Sequence, residues 1–385
     1  MKIGVVNETF PGETRVALIP ASLAALGKAG MQLLVETGAG SRAGFADSAY
    51  AEKGAQVLAS RAEVFAAADL VAQVRSLGAN LTAGITDLGL MRSGQAIVGF
   101  CDPLSEPAAA QQVAATGAML LSMELVPRIT RAQSMDALSS MATVAGYKAV
   151  LLGAEALPKM FPMLMTAAGT LSPAKVFVMG TGVAGLQAIA MARRLGAVVS
   201  ATDVRAAAKE QVQSLGAKFV ESSVDTTKTE GSGGYAKALD EDAARRQREA
   251  LAQAVAESDV VVTTAAVPGR KAPILLTTAM VEAMAPGSVV VDLAAERGGN
   301  CELTRAGQTI SHHGVTILGP MNLPATVPSH ASQLYAKNVA TLLLHLVKNG
   351  QLTIDTADEI TREILVTRDG QMVHPRVKEI LETKA

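Results

Sequence analysis

The chain has 385 residues, which is enough for two domains of ordinary size, and its formal net charge is −1. Hydrophobic residues make up 49% and charged residues 18%, so the composition suffices for large cores. The sequence has no basic block that would indicate nucleic acid or anionic lipid as a partner, and no tryptophan to stack on bases. The two cysteines, Cys101 and Cys301, give neither a disulfide framework nor a metal-ligand spacing.

The N-terminal sequence leads directly into a predicted strand, without the apolar core of a signal peptide. No apolar run reaches about 18 uncharged residues, the length expected of a membrane-spanning helix. We therefore expect a soluble, cytoplasmic chain that does not itself insert into a membrane.

The first 125 residues alternate short apolar runs with helical patterns, which is typical of a parallel sheet covered on both faces. The predicted strands are Lys2–Val6, Leu33–Val35, Leu70–Val74, Ile97–Gly99 and Met119–Leu121. The predicted helices are Ala21–Ala29, Ala62–Ala68 and Ala108–Thr116. No glycine fingerprint follows any of these strands, so the main nucleotide site is expected elsewhere in the chain.

A dinucleotide-binding fingerprint lies near the middle of the chain. An apolar run at Val176–Met179 is followed at once by Gly-Thr-Gly-Val-Ala-Gly at Gly180–Gly185 and by a helical pattern that ends at Leu195. A second apolar run, Val198–Ala201, leads to Asp203, about 20 residues beyond the glycines. This order of strand, glycine turn, helix, strand and acid predicts a Rossmann unit that binds a dinucleotide.

Each residue type in the fingerprint has a physical role. Gly180 permits the sharp turn, Gly182 lets the backbone approach a pyrophosphate, and Gly185 lets the helix pack closely. Asp203 would accept hydrogen bonds from ribose hydroxyls and repel a 2′-phosphate, which favours NAD(H), although Arg205 nearby could favour NADP(H). The predicted cofactor contacts here are Gly180, Gly182, Val183, Ala184, Gly185, Asp203, Val204 and Arg205.

The later strands and connections complete a two-domain scheme. Further strands are predicted at Lys218–Val220, Val260–Thr263, Val289–Asp292 and Thr316–Leu318. Thr264, Ala265 and Ala266 follow the second of these and should line the cofactor crevice. A long helix over Arg131–Leu157 would join two Rossmann-like, doubly wound parallel-sheet α/β domains with a cleft between them. We place the first domain at residues 1–137 and 325–385, and the second, NAD(H)-binding domain at residues 138–324.

A polar cluster precedes the long helix. Gln133, Asp136 and Ser140 have the three- and four-residue spacing that places side chains on one helix face, and Ser139 and Arg128 lie close in sequence. Such donors and acceptors suit a carboxamide, and so would orient a nicotinamide ring. The alternative interpretation is a helix N-terminal cap with a surface ion pair.

Two other features bear on function. The polar, glycine-rich segment between Val220 and Asp240 is either a mobile lid over the cofactor, closing through Tyr235, or a solvated excursion. All five histidines lie at or after position 312, so residues 1–137 of the first domain contain no histidine to serve as the usual acid/base of a hydroxy-acid or amino-acid dehydrogenase. His312 and His313 are interpreted as turn residues, and no metal site is predicted.

Over essentially its full length the chain resembles the soluble NAD(H)-binding component of proton-translocating nicotinamide nucleotide transhydrogenase. That component is the N-terminal part of the alpha subunit and is related to alanine dehydrogenase. The resemblance is carried by ETRVALIP (13–20), MELVPRITRAQSMDALSS (123–140), GYKAV (146–150), FPMLMTAAGT (161–170), VFVMGTGVAGLQAIA (176–190), ATDVRAA (201–207), GGYAK (233–237) and PGSVVVDLAAERGGNC (286–301).

The resemblance implies roles for particular residues. Arg128, Gln133, Asp136 and Ser139 would contact the nicotinamide end, and the first three of these would be catalytic by orienting the ring. Asp203 would bind the adenosine ribose. Gly234 and Tyr235 would belong to a mobile loop near residues 222–240.

The same comparison argues against an alanine dehydrogenase. Those enzymes carry a substrate lysine near position 75 and a histidine after the next strand, where this chain has Gln73 and Arg75, then Cys101 and Asp102. Arg15, which holds a substrate carboxylate in the relatives, remains. The alternatives are an alanine-dehydrogenase-like enzyme and a non-catalytic NAD(H)-binding module.

The resemblance implies an oxidoreductase, a Re/Si-specific, proton-translocating NAD(P)⁺ transhydrogenase. It would pass a hydride from NADH to NADP⁺ held on a separate NADP(H)-binding component. The chain would be a subunit encoded by a split gene and would form a homodimer. The homodimer would dock on the inner face of the cytoplasmic membrane through membrane-spanning partner subunits.

Overall fold

The computed structural model describes residues 1–221, 241–266 and 269–384. It divides into two compact units: unit 1 comprises Met1–Met141 and Pro324–Ala385, and unit 2 comprises Ala142–Leu323. Unit 1 is therefore discontinuous in sequence, whereas unit 2 is one continuous stretch. The boundaries expected from sequence, after residues 137 and 324, lie close to these.

The strands are short and occur throughout the described chain. In chain order they are β1 (Lys2–Val5), β2 (Gln32–Glu36), β3 (Gln56–Leu58), β4 (Leu70–Arg75), β5 (Ala96–Phe100), β6 (Met119–Ser122), β7 (Leu164–Thr166), β8 (Gly169–Leu171), β9 (Lys175–Met179), β10 (Val198–Thr202), β11 (Lys218–Phe219), β12 (Val260–Thr263), β13 (Val289–Asp292), β14 (Thr309–His312), β15 (Val315–Leu318), β16 (Val347–Lys348), β17 (Gln351–Leu352), β18 (Leu365–Arg368) and β19 (Gln371–Met372).

The α-helices alternate with these strands. In chain order they are α1 (Leu23–Lys28), α2 (Asp47–Glu52), α3 (Arg61–Ala67), α4 (Pro107–Ala115), α5 (Ala137–Ala156), α6 (Val183–Arg194), α7 (Ala208–Ser214), α8 (Glu241–Ala256), α9 (Thr278–Glu282), α10 (Pro328–Leu346), α11 (Glu359–Ile364) and α12 (Pro375–Lys384). A six-residue 3₁₀ helix, Thr130–Met135, precedes α5.

Unit 1 contains an eight-stranded sheet with the order β19-β18-β6-β5-β4-β1-β2-β3. Strands β1 to β6 pair in parallel, whereas β18 is antiparallel to β6 and β19 to β18. The C-terminal strand is anchored by Thr367, whose hydroxyl accepts a hydrogen bond from the Leu120 N–H and donates one to the Ala118 carbonyl. The core of unit 1 therefore needs residues from both ends of the chain.

Unit 2 contains a seven-stranded sheet with the order β11-β10-β9-β12-β13-β15-β14. All four residues of β12 and of β13 are buried, as expected for valine-rich central strands that are covered on both faces. On one face Val176 and Val178 pack with Ile189 of α6, and on the other Phe177 packs with Leu251 of α8. Helices on both faces of the sheet make this a doubly wound unit.

The predicted fold class, two Rossmann-like α/β domains, is confirmed, with three corrections. The sheets are mixed, because β14 is antiparallel to β15, β18 is antiparallel to β6, and β19 is antiparallel to β18. Strand β3 and helix α2 form between the predicted elements of the first domain. The helix predicted over Arg131–Leu157 begins only at Ala137, because its first turns form the separate 3₁₀ helix.

Helix α5 is the one helix of the described residues that is long and apolar enough to cross a membrane. The core helices of soluble proteins meet the same criteria. Ala149 and Val150 of α5 are buried in the core of unit 2. The finding is therefore weak evidence for a membrane span.

Candidate functional site

The carboxyl ends of β9 and β12 form a candidate ligand-binding edge in unit 2. Strand β10 lies on one side of β9 and β12 on the other, so the order of strands reverses at this point. In open α/β sheets, ligands bind outside the carboxyl ends of the strands at such a switch point. The fingerprint glycines follow β9, and Thr264 to Ala266 follow β12.

The glycine turn is held in place by its neighbours. Gly180 has φ of +95°, and a Cβ there would lie 2.8 Å from the Thr264 hydroxyl. That hydroxyl donates a hydrogen bond to the Gly180 carbonyl at 2.9 Å. A Cβ on Gly185 would lie 1.9 Å from the Gly180 carbonyl oxygen, so only glycine allows α6 to pack this closely. The roles expected of Gly180 and Gly185 have a direct structural basis.

Gly182 faces open space at the start of α6. It occupies the N-cap position, and a Cβ built on it would meet no atom of the described residues within 4 Å. The unpaired N–H groups of the first helical turn begin with exposed Val183 and half-buried Ala184. A phosphate group fits this space, because helix N-termini offer N–H donors and a partial positive charge.

Helix α5 also packs closely against the start of α6. A Cβ on Gly146 would lie 2.1 Å from the Ala184 carbonyl oxygen. A side chain at this position would therefore displace the first turn of α6.

Asp203 lies just after β10 and is 8% exposed. Its Oδ2 accepts hydrogen bonds from the Thr181 N–H at 2.7 Å and the Thr181 hydroxyl at 2.9 Å. Burial opposes ionisation, but the hydrogen bonds and charge of Arg205, together with the Thr181 N–H, hold the pKa of Asp203 below its usual value. The carboxylate is therefore ionised at neutral pH.

Arg205 folds back onto Asp203. Its backbone N–H and Nε each donate to Oδ1 at 2.9 Å, and its Nη2 donates to Oδ2 at 3.0 Å. A carboxylate has about four acceptor positions, so those of Asp203 are already engaged. A ribose can be bound by Asp203 only if it displaces one of these donors. Half-buried Val204 lies between the two residues.

The loop after β12 is supported by Asn300, which was not singled out from the sequence. The Ala265 N–H donates to Asn300 Oδ1 at 3.0 Å, and Asn300 Nδ2 donates to the Ala265 carbonyl at 2.8 Å. Asn300 Nδ2 also donates to the Pro273 carbonyl. This pairing fixes the loop that presents Thr264, Ala265 and exposed Ala266 at the edge.

Asn300 is itself fixed by Asp292, the buried last residue of β13. Asp292 Oδ2 accepts hydrogen bonds from the backbone N–H groups of Asn300 and Cys301 and from the Thr304 hydroxyl, at 2.7, 3.0 and 2.7 Å. Its Oδ1 accepts from the Thr263 hydroxyl at 3.0 Å. The signal in the sequence was an acid at the end of an apolar strand, the same pattern that identified Asp203.

Four of the predicted polar residues lie together in unit 1. They line a cavity of about 230 Å³ whose lining residues are Pro127, Arg128, Gln133, Asp136 and Ser139. Arg128 and Gln133 are exposed, whereas Asp136 and Ser139 are half-buried. The cavity thus combines a guanidinium, an amide, a carboxylate and a hydroxyl, which can bind a carboxamide through both its donor and acceptor groups.

The expected placement on one helix face is wrong. Gln133 lies in the 3₁₀ helix, and Asp136 lies between that helix and α5. Asp136 accepts hydrogen bonds from the Ser139 N–H at 2.8 Å and hydroxyl at 2.6 Å, as in an N-cap. The alternative interpretation of a helix cap is therefore correct for Asp136, which nonetheless also lines the cavity.

Contacts with α10 and with the start of α11 hold the 3₁₀ helix in place. Asn338 donates to the Ser134 carbonyl at 2.9 Å, and Arg131 forms an ion pair with Asp358 at 2.6 Å. Ala132 and Met135 are buried. These contacts hold the backbone that carries Gln133.

The remaining predicted contacts, Gly234 and Tyr235, and the loop near residues 222–240 lie outside the described residues.

Unit 1 has its own switch point, between β1 and β4, and a buried ion cluster (Glu8, Glu13, Arg15 and Arg75) lies there. Glu8 accepts hydrogen bonds from the N–H groups of Val74 and Arg75 at 2.6 and 3.0 Å. Arg15 donates to both oxygens of Glu13, from Nε at 2.7 Å and Nη2 at 2.6 Å. Burial, together with the charge of Glu13, raises the pKa of Glu8 to about 7.

Comparison with known proteins agrees with the predicted resemblance. Residues 4–145 match the model of the alanine dehydrogenase/PNT N-terminal domain, and residues 149–375 match that of the alanine dehydrogenase/PNT C-terminal domain. The first portion of NAD(P) transhydrogenase subunit alpha in Rhodospirillum rubrum is 44% identical over 97% of this chain and 98% of its own length.

A solved structure and a more distant relative extend the comparison. The crystal structure of transhydrogenase from Sinorhizobium meliloti has a TM-score of 0.84 and 42% identity, covering 97% of this chain and 99% of that one. Alanine dehydrogenase of Bacillus subtilis is 29% identical, over 98% of this chain and 94% of its own. The chain therefore belongs to the alanine dehydrogenase/PNT family, and within that family it is more similar to these transhydrogenases than to this alanine dehydrogenase.

Proposed function

We propose that this chain is the NAD(H)-binding subunit of a proton-translocating, Re/Si-specific transhydrogenase, which passes a hydride from NADH to NADP⁺ held on a partner component. The observation that carries the proposal is the contrast between two switch points. The edge at β9 and β12 is open at Gly182, whereas the corresponding point in unit 1 is filled by the ion cluster. Among the described residues, the edge in unit 2 thus has space for a phosphate beside Gly182, whereas charged side chains occupy the switch point of unit 1.

The chemistry of unit 1 supports hydride transfer without proton transfer. A dehydrogenase that acts on an amino acid needs an acid/base that can reach the substrate. Gln73 donates to Asp87, and the Cys101 thiol is buried, which raises its pKa well above the usual value. Glu8, the carboxyl group that would titrate near neutrality, has both oxygens engaged by backbone N–H groups. Hydride transfer between two nicotinamide rings requires none of these groups.

In unit 2, the first turn of α6 would bind the pyrophosphate beside Gly182, and Asp203 would bind the adenosine ribose. The ribose hydroxyls would take the place of the Arg205 guanidinium on the Asp203 carboxylate. A negatively charged Asp203 would repel a 2′-phosphate, which favours NAD(H) over NADP(H). Thr264, Ala265 and Ala266, held by Asn300, would line the same edge.

In unit 1, Arg128, Gln133 and Asp136 would orient the nicotinamide, with Ser139 as a further contact. The nicotinamide ring supplies the hydride, and the protein's contribution is to fix its position. The fixed backbone of the 3₁₀ helix suits this role, because a displacement of about 1 Å can cost about 100-fold in rate. Gly234 and Tyr235, which lie outside the described residues, would be further cofactor contacts.

We further propose a homodimer that docks, on the cytoplasmic side of a membrane, onto membrane-spanning and NADP(H)-binding partner subunits. The hairpin of β7 and β8 supports the dimer, because Met165 and Leu171 of the hairpin and Met163 just before it are apolar and 77, 50 and 57% exposed. Exposed apolar patches of this kind mark protein interaction sites. Met165→Asp should yield monomers in light scattering at concentrations where the unchanged chain is dimeric.

The function is tested by NADH oxidation with the purified chain. One reaction contains a recombinant NADP(H)-binding component and NADP⁺, and the other contains pyruvate and ammonium. We expect oxidation only in the first. Turnover with pyruvate and ammonium alone would show an alanine-dehydrogenase-like enzyme instead, and NADH binding without oxidation in either reaction would show a binding module.

Two substitutions assign the reaction to the cavity. Gln133→Asn shortens the amide, and Asp136→Asn removes the charge while keeping a residue that caps helices equally well. Both should lower the rate with the partner and leave the fold unchanged by circular dichroism. Gln211→Asn, at an exposed position of α7, is the matched control and should be as active as the unchanged chain.

A further inference from the structure

The hairpin of β14 and β15 in unit 2 brings two histidines to one carboxylate. His312 Nε2 lies 2.9 Å from Glu282 Oε1, and His313 Nε2 lies 3.7 Å from the same oxygen. Among the described residues, this is the group of three histidine, cysteine, aspartate or glutamate side chains whose ligand atoms lie within 4.8 Å of one another. It lies on the surface, with His312 half-buried and Glu282 and His313 exposed.

The backbone fixes the directions of both imidazoles. His312 pairs with Val315, so His313 and Gly314 form a two-residue turn. Both have positive φ, of 49° and 78°, as in the type I′ turns that connect tight hairpins. The first position of such a turn is usually asparagine, aspartate or glycine, so a histidine there is unusual.

The turn is also fixed against the segment that follows Glu282. The Gly287 N–H donates to the Gly314 carbonyl at 2.8 Å, and a Cβ on Gly314 would lie 3.0 Å from the Pro286 Cβ. Glu282 is the last residue of α9, a few residues before this contact. The carboxylate and the two rings are therefore held together by main-chain structure and not by flexible side chains alone.

The arrangement goes beyond an ordinary ion pair. One histidine is sufficient to hydrogen-bond the carboxylate, yet a second Nε2 faces the same oxygen beyond hydrogen-bonding distance. The two rings stack with centroids 4.8 Å apart and planes 23° apart. Two imidazole nitrogens and a carboxylate oxygen that lie this close together are a ligand set for a cation.

We propose that Glu282, His312 and His313 form a surface binding site for a divalent transition-metal ion of the zinc class. Imidazole nitrogen and carboxylate oxygen both bind Zn²⁺ at about 2.0–2.2 Å, which places tetrahedral ligand atoms about 3.3 Å apart. The observed 2.9 and 3.7 Å lie on either side of that value, and all three ligand atoms lie within 4.8 Å of one another, so rotation of the side chains would bring them to one ion. Three protein ligands leave a position for water.

The turn expected from the sequence forms at His313, whereas His312 is the last residue of β14, and the metal site is a further role for both. It lies outside the residues that we propose for cofactor binding, so zinc binding and NADH binding are separable. The proposal therefore does not depend on the proposed function.

The test is calorimetric titration of the untagged, purified chain with zinc chloride. We expect one zinc ion per chain. His312→Ala and His313→Ala should each weaken zinc binding by at least about tenfold. His330→Ala, which removes an exposed imidazole from α10, is the control and should leave zinc affinity unchanged. The proposal would be overturned if the unchanged chain bound no zinc. It would also be overturned if either the His312→Ala or the His313→Ala variant bound zinc as tightly as the unchanged chain.

Cobalt provides a second measurement that distinguishes the ligands. Co²⁺ bound by imidazole and carboxylate gives visible d–d bands, whereas binding through Cys101 or Cys301 would add an intense thiolate charge-transfer band in the near ultraviolet. We expect d–d bands that disappear in His313→Ala. A thiolate band would assign the metal to a cysteine and contradict the site. NADH affinity should be the same in the unchanged chain and in each histidine variant.

Discussion

The two switch points of this molecule have the same strand arrangement, but one leaves open space and the other is occupied by a charged side chain. In each, the first strand has the second strand on one side and a later strand on the other: β1 lies between β2 and β4, and β9 between β10 and β12. After β9 the chain continues with glycines and leaves open space at Gly182. After β1 it continues to Glu8, whose carboxyl group binds the backbone of β4. The topology provides a place for a ligand, but the residues at the strand ends decide whether that place is open.

The largest expected effect comes from closing the open edge. Gly185→Ala places a methyl group 1.9 Å from the Gly180 carbonyl oxygen, so the glycine turn and the start of α6 must separate. We expect NADH binding to fall at least about 100-fold and the free energy of unfolding to fall by about 1–3 kcal/mol, the usual cost of overpacking. Fluorescence titration and urea denaturation measure the two effects.

Gly182→Ala is the matched control, because its methyl group meets no atom of the described residues within 4 Å. The variant should keep its free energy of unfolding within about 0.5 kcal/mol. It should still bind NADH less tightly, because the methyl group occupies the space expected for the pyrophosphate. Equal destabilisation of the two variants would show that the open space has been misassigned.

The second-largest expected effect is on the pH dependence of stability, and it comes from Glu8 at the closed switch point. The pKa of Glu8 is about 7 in the folded protein and about 4.5 in the unfolded chain, so the folded state retains a proton that the unfolded state loses. Stability associated with Glu8 is therefore fully present below about pH 4.5 and is lost as pH rises to about 7. At about 1.4 kcal/mol per pKa unit, this amounts to about 3 kcal/mol.

In Glu8→Gln this loss should be absent, so the stability of the unchanged chain relative to the variant should fall by about 3 kcal/mol between about pH 4.5 and 7. Urea denaturation across that range measures it. Glu52→Gln, at an exposed position of α2, should follow the unchanged chain. A Glu8→Gln curve parallel to that of the unchanged chain would contradict the raised pKa.

A smaller effect is expected at Asp203, where only the charge is changed. Asp203→Asn keeps hydrogen-bonding capacity but removes the negative charge, so NADH affinity should fall about tenfold, as for the loss of one hydrogen bond to a charged group. The ratio of NADH affinity to NADPH affinity should fall at the same time. Titrations with NADH and with NADPH measure the two affinities. An unchanged ratio of NADH affinity to NADPH affinity would exclude Asp203 as the residue that selects between the cofactors.

The smallest effect is expected from Arg205→Ala. Removing the guanidinium frees acceptor positions on Asp203, so NADH should bind equally well or a few-fold more tightly. If Arg205 instead served a 2′-phosphate, the variant would lose NADPH binding selectively. Titrations with NADH and NADPH thus distinguish an Arg205 that only pairs with Asp203 from an Arg205 that binds a 2′-phosphate.

The sequence predicted the open switch point much better than the closed one. The fingerprint is local: the glycines, the helix and the acid lie within 24 consecutive residues, and short-range spacing identifies them. Glu8 reaches β4, and Asn300 supports Ala265, across contacts that no local pattern encodes. Asp136 lies in the polar cluster, but it caps α5 through Ser139 and does not lie on a helix face with Gln133. Tertiary contacts decided the cases of Glu8 and Asn300, whereas a local helix cap decided that of Asp136.

The discontinuity of unit 1 has a consequence for synthesis on the ribosome. Unit 2 is a continuous stretch, and its last strand is complete at Leu318, so its core can assemble while the C-terminal residues are still being translated. Unit 1 must wait for β18, because Thr367 completes the hydrogen bonding of the backbone around β6. A nascent chain that lacks β18 would therefore hold a complete set of unit 2 strands and a unit 1 whose strand β6 still has an unpaired edge.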